Sequence, residues 1–280
     1  MIQYRYNELK YAEKILKDGF MTHYHRYELK ILVKYYKEIQ NKKASERKEL
    51  VYAFCQEHIE KFNRVKYFRI INSALLYGSK RLSKLITIES IPITENEIKY
   101  INGLELDEIH KKILFTFIVK NKLNKEMSKQ IYGKSSEYNF FGGKNESYKE
   151  VFEMSKLSNS LNINNIVNTL SNNGYVDVVN RGRINLLFIE NIDVSEIDKI
   201  VMNITNFDNV GYYFDWYNGN DKFIRCENVG CEEVIKKTNG NMKYCTDCAK
   251  EKQFNQKKEW DKTKRIRKAD NPCIPTLPTV

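Results

Sequence analysis

Residues 226–248 read CENVGCEEVIKKTNGNMKYCTDC. Cys226 and Cys231 stand four residues apart, Cys245 and Cys248 two apart, and thirteen residues separate the pairs. Two close thiolate pairs on two tight turns can converge on one ion, each pair supplying two corners of a tetrahedron. Gly230 precedes Cys231, where a knuckle turn needs a residue without Cβ. Asn239-Gly240, between the pairs, is a hairpin turn signal. Residues 223–248 therefore read as strand, knuckle, hairpin, knuckle. The competing readings are four ordinary reduced thiols and a redox C-x-x-C, and no βαβ pattern surrounds Cys245 and Cys248 to favour the redox pair.

The pattern is similar to a four-Cys zinc ribbon. Cys226, Cys231, Cys245 and Cys248 are then the ligands of one Zn²⁺, and four thiolates leave no position for water, so the ion is expected to be structural. A unit of this size holds few apolar side chains, whereas zinc contributes about 10 kcal/mol or more to small finger peptides. The remaining thiols, Cys55 and Cys273, lie far from the cluster.

Downstream, residues 249–270 read AKEKQFNQKKEWDKTKRIRKAD, with nine basic and four acidic side chains, a local excess of +5. Good helix formers and no Gly or Pro predict a helix leaving the ribbon. Lys257, Lys258, Lys264, Arg265, Arg267 and Lys268 are candidate phosphate contacts. The alternative is a solvated charged tail. Residues 271–280 hold three of the four prolines and are expected to be disordered.

Upstream, Leu106, Ile109, Ile113, Leu114, Phe117, Ile118 and Leu123 recur at helical spacing behind Asp107 and Glu108. Residues 146–157 predict a second helix. A third follows, capped by Ser160 or Asn162, with Ile163, Ile166, Val167 and Leu170 on one face and Asn173-Gly174 as its stop. Tyr175 to Ile189 is two β-rich runs joined by Asn180-Arg181-Gly182-Arg183, hence a hairpin.

Three helices and a hairpin over residues 103–192 resemble the winged helix-turn-helix DNA-binding family. The resemblance implies that the helix at 162–172 enters the major groove of double-stranded DNA. Asn164, Asn165, Asn168, Thr169 and Asn172 would then face base edges. It places Arg181 and Arg183 of the wing near a phosphate or a narrow minor groove. That helix carries no Lys or Arg, so charge contacts fall to the wing, Lys156 and the tail. The same fold also serves as a protein-interaction module, which stays open as the rival.

Residues 1–102 read as a helical domain with two blocks, 7–39 and 46–77. The text ending INSALLYG at 71–78 has a weak similarity to primase-associated helical domains. His23, His25, Cys55 and His58 do not make a second metal site: His23 and His25 would split across a helix, and Cys55 falls on the core face. Gly133-Lys134-Ser135 lacks the first glycine of a phosphate loop, since position 128 is Ser128. No H-E-x-x-H or G-x-S-x-G occurs. Asp215 sits in a Tyr-rich, strand-like run, GYYFDWYNG, without a partner carboxylate.

With 41% hydrophobic residues among 280, wholesale disorder is excluded. The net charge of +11 fits a nucleic-acid partner or another anionic surface. No run is apolar enough to cross a membrane and no signal peptide opens the chain, so a cytoplasmic location is expected. Heavy use of Asn, Lys, Ile and Tyr points to AT-rich coding, as in a low-GC bacterium or its mobile elements.

The resulting expectation is multidomain, mainly α with α+β parts. It comprises a helical domain (1–102), a winged helix (103–192), a connector with strands (193–222), a zinc ribbon with a basic helix (223–270) and a tail (271–280). The expected function is non-enzymatic DNA binding in transcription regulation or replication. The alternative is a protein-interaction adaptor or an inhibitor of a host machine that uses the same modules without nucleic acid.

Overall fold

The computed structural model describes residues 3–141, 146–158, 161–179, 183–193 and 198–270. The chain is mainly helical with small antiparallel sheets, and its buried apolar residues form three separate cores. No helix among the described residues is long and apolar enough to cross a membrane.

The first core belongs to α2 (Glu8–Asp18), α3 (His25–Glu38), α4 (Ala44–His58) and α5 (Arg64–Gly78), preceded by the single turn α1 (Gln3–Tyr6). Each block expected at 7–39 and 46–77 is thus a helix pair. Gly19 ends the first helix with φ +83°, and Asn63 opens the last by accepting from the amides of Val65 and Lys66. Tyr11, Ile15, Leu29, Leu32, Val51, Phe54, Cys55 and Ile71 fill the interior. Lys34 Nζ lies 2.6 Å from a Glu8 carboxylate oxygen in this interior, and the same oxygen accepts from the Ile86 amide.

The second and largest core is built around one long helix. β1 (Ile91–Thr94) leads into α6 (Glu95–Gly103) and then α7 (Glu108–Tyr132). Asp107 caps α7 by accepting from the His110 amide at 2.9 Å, and Gly133 closes it with φ +78°. From Ile113 to Val119 every residue of α7 is buried, the pattern of a helix surrounded by partners. Those partners include β2 (Phe140–Phe141), α8 (Glu146–Ser155), α9 (Ile163–Asn172), β3 (Val176–Val179) and β4 (Arg183–Leu186). A 3-10 turn, Leu187–Asn191, leads on to β5 (Ile200–Ile204) and α10 (Val210–Tyr217). Strands β2, β4 and β3 form an antiparallel sheet in that order, with Val178 opposite Ile184 and Phe141 opposite Ile184 on its other side. β1 pairs with β5, Ile93 opposite Met202, so two segments more than a hundred residues apart close the body.

The boundary expected at residue 102 does not coincide with a break between cores. Leu85 belongs to the first core, whereas Ile86, Ile88, Ile91, Ile93, Ile98 and Ile101 belong to the second, joined there by Tyr6. Alternate side chains of this extended segment turn into the body, and its backbone is held by Tyr6 O at 2.8 Å from the Ile88 amide. Residues 198–222, expected as a connector, likewise contribute Met202, Ile204, Phe207, Val210, Tyr213 and Phe214 to this core. The run GYYFDWYNG forms α10 rather than a strand, because Val210, Tyr213 and Phe214 recur at helical spacing and bury together. A Cβ on Gly211 would run into the carbonyl oxygen of Ser155, which shows how tightly α10 lies on the end of α8.

One polar cluster crosses the second core. Glu150 of α8 accepts from the Tyr6 hydroxyl at 2.6 Å, pairs with Lys120 Nζ at 2.9 Å and is bonded by Arg5. Burial alone would raise the Glu150 carboxyl, but Lys120, the Tyr6 hydroxyl and Arg5 outweigh it and hold the group below its usual range. Three distant pieces of sequence are fixed together by these bonds.

The third core is the smallest. β6 (Phe223–Arg225) and β7 (Val234–Lys236) pair antiparallel, Ile224 opposite Ile235, and α11 (Thr246–Asp270) follows. Ile235 packs with Cys226, Cys245 and Cys248, whereas Phe223 and Val234 turn into the second core. The cysteine unit is therefore seated on the body by its own strands.

Candidate metal centre and nucleic-acid interface

Two loops bring the four cysteines together. In the first, Gly230 takes φ +80°, and the Cys231 amide donates to the Asn228 carbonyl at 3.0 Å. In the second, the first turn of α11 carries Cys248 beside Cys245. The loops are tied by the Cys226 amide donating to Glu233 O at 2.8 Å and the Glu227 amide to Lys243 O at 3.0 Å. One ligand atom from each of Cys226, Cys231, Cys245 and Cys248 lies within 4.8 Å of all the others, and the Cys231 and Cys245 sulfurs are 3.9 Å apart. Four sulfurs ~2.3 Å from one tetrahedral ion stand ~3.8 Å apart, so the spacing is compatible with a metal site.

The surroundings act on the thiols in opposite directions. The Cys245 amide donates to Cys226 Sγ and the Asn228 side-chain amide to Cys248 Sγ, both at 3.4 Å. Burial raises the Cys231 thiol to about 11 and pushes Cys245 up as well. At Cys226 burial acts in the same sense but is outweighed by the Cys245 and Asn228 amides, which hold the thiol below its usual value. A cation at the centre of such closely set sulfurs would displace their protons.

His23, His25, Cys55 and His58 do not come together as a metal site. Cys55 is fully buried, and the rings of His25 and His58 pack on Phe20 and Phe54, at 4.1 and 4.4 Å between centroids. Among the described residues the four-cysteine group is the only set of three or more potential ligands close enough to hold an ion. Asp215 has a partner: Lys112 Nζ lies 2.5 Å from its carboxylate, which fixes α10 to α7.

A cleft of about 650 Å³ separates the cysteine loops from the N-terminal turn. Glu89, Asp208, Glu232, Glu233 and Asp247 face Lys10 across it. That excess of carboxylates disfavours phosphate in the cleft.

α9 presents an uncharged polar face. Ile166, Val167 and Leu170 are buried, while Asn164, Asn165, Asn168 and Asn172 are exposed and Thr169 is half-buried. Asn162 caps the helix by accepting from the Asn164 and Asn165 amides. Lys156, just beyond α8, is exposed with φ +55°. In the hairpin, Arg183 is exposed and its guanidinium stacks over the Phe140 ring at 3.8 Å. Asn180, Arg181 and Gly182, the expected wing tip, lie outside the described residues, as does the tail 271–280. The stack was missed in the sequence, where residues 140–141 carried no strand signal beyond two adjacent aromatics.

α11 leaves the ribbon as a helix whose residues 250–260 are all exposed. Lys257, Lys258 and Lys264 are in the open, with Phe254 and Trp260 exposed by 67% and 61% and Lys264 over the Trp260 ring at 4.7 Å. The helical backbone continues through Arg265, Arg267 and Lys268, whose side chains lie outside the described residues.

Comparison with family models, with curated proteins and with solved structures finds no match for this chain.

Proposed function

We propose that this chain is a non-enzymatic, double-stranded-DNA-binding protein of a phage or other mobile element, acting in transcription regulation or replication. Its Zn²⁺ is structural. The observation that carries the reading is the outer face of α9, where four exposed asparagines stand on a helix whose other side is fixed in the core. An Asn amide pairs a donor with an acceptor and matches the edge of adenine.

The order of elements supports this. Helix α7, strand β2, helices α8 and α9, then the hairpin β3–β4, with the sheet ordered β2-β4-β3, is the arrangement that a winged helix requires. In it α9 is the reading helix and Arg183 stands at the base of the wing. The exposed lysines of α11 supply sequence-independent phosphate contacts. Two modules on one chain raise apparent affinity by effective concentration.

Zinc fits the site better than a hard cation, because four soft thiolates and a closed shell suit it. Metal analysis of the purified protein is expected to give one zinc per chain. Fluorescence anisotropy with random-sequence and genomic duplexes tests the DNA reading. Affinity should fall by orders of magnitude between 50 and 200 mM salt. Indifference to duplex DNA at low salt would remove it.

A further inference from the structure

The first core leaves one helix face bare. On α5, Val65, Phe68 and Leu76 are exposed by 86%, 55% and 62%, and Asn72 is exposed between them. At 100° per residue, positions 65, 68, 72 and 76 share one side of the helix, and Arg69 borders it. Ile71 and Ala74, on the opposite side, are buried against α3 and α4. The stripe is therefore a surface on a fixed helix, with Leu82 beyond its end adding a further 58%-exposed side chain.

Its charge has one sign. Residues 61–88 contain seven Lys and Arg and no Asp or Glu. None of the seven takes part in an ion pair among the described residues. Arg64 lies over the Tyr52 ring, whereas Arg69 and Arg81 are exposed. An apolar stripe bordered by Arg69, on a segment whose charged residues are all basic, complements an acidic, amphipathic helix.

We propose that the outer face of α5 is a docking surface for an acidic amphipathic α-helix of a partner protein. Four ligand classes compete for such a face, and the residues discriminate among them. A second copy in a two-fold dimer would set the basic border against itself. Nucleic acid would use the cations but gains little from the aliphatic Val65 and Leu76. A lipid surface would bury Asn72 in the acyl boundary without a partner, whereas a helix can offer that amide a hydrogen bond that fixes register. The acidic helix alone uses the apolar stripe, its polar centre and the cationic rim together. This surface is separate from α9 and α11, so its test is independent of DNA binding.

The probe is a fluorescein-labelled peptide of Glu, Ala and Leu, with Leu on one helical face. Its control has the same composition with Leu dispersed. The full-length protein is expected to bind the probe saturably and the control much more weakly. Leu76→Ser, Phe68→Ser and Arg69→Glu should each weaken the probe by roughly tenfold or more. Their melting temperatures and duplex binding should stay unchanged, since these side chains are exposed. Equal binding of probe and control, or no saturable binding, overturns the proposal. So does a finding that Leu76→Ser instead abolishes binding to duplex DNA, binding to anionic vesicles, or self-association on gel filtration.

Discussion

Glu150 and Tyr6 are 144 positions apart in sequence and share a buried hydrogen bond of 2.6 Å. Lys120 completes the cluster at 2.9 Å from the same carboxylate. Removing one member leaves an uncompensated buried charge, which typically costs about 3–5 kcal/mol. Glu150→Gln is therefore expected to lower stability by that order in urea unfolding at neutral pH.

The same carboxyl gives an acid limb. Its folded pKa lies below the ordinary 4.5, so its stabilisation is complete above 4.5 and is lost as pH falls through the lower folded value. Unfolding measured from pH 6 to pH 2 should show a decline in that range for the wild type. In Glu150→Gln that part of the decline should be missing.

Gly211 lies against the Ser155 carbonyl, where no Cβ fits. A backbone oxygen cannot swing aside as a side chain can. Gly211→Ala should destabilise by about 1–3 kcal/mol or more, read as a lower midpoint in thermal unfolding. Gly240→Ala, with open space around its position, should cost far less.

Metal removal should reach beyond the ribbon. Phe223 and Val234 leave the ribbon to pack in the large core. Stripping the proposed metal, or Cys245→Ser, is expected to unfold residues beyond about 222 and also to lower the melting temperature of the body. Hydrogen exchange would read both effects. Unchanged protection in β1 and β5 on demetallation would show that the ribbon stands alone.

The proposed DNA contacts divide by kind. Asn165→Ala and Asn168→Ala should relax discrimination between duplex sequences, by about 1–3 kcal/mol for a base that loses a bidentate pair. Lys257→Ala with Lys258→Ala should weaken all sequences alike and make the salt slope shallower by about 2. Competition anisotropy at several salt concentrations separates the two.

Local signals in the sequence carried well. The cysteine spacing located the third core, and the Asp107 cap, the Asn173-Gly174 stop and the two β-rich runs located α7, α9 and the hairpin. What escaped were relationships across long separations. Nothing local in Ile91–Thr94 says that its partner is Ile200–Ile204, and nothing in Tyr6 announces Glu150. α10 was misread because Tyr, Phe and Trp favour strands, although Val210, Tyr213, Phe214 and Tyr217 keep the helical period. The exposure of Val65 and Phe68 on α5 was equally out of reach, because periodicity alone does not tell which apolar side chains find a neighbour.

Pairing β1 with β5 also sets a schedule for synthesis. The strand at Ile91–Thr94 leaves the ribosome long before Ile200–Ile204 is made. Until then, the inward-facing isoleucines have no strand to sit beside. The helices of the first core can close at once, but α9 stays on an unfinished platform, so a chain halted before residue 204 should be a target for chaperones and proteases rather than a functional fragment.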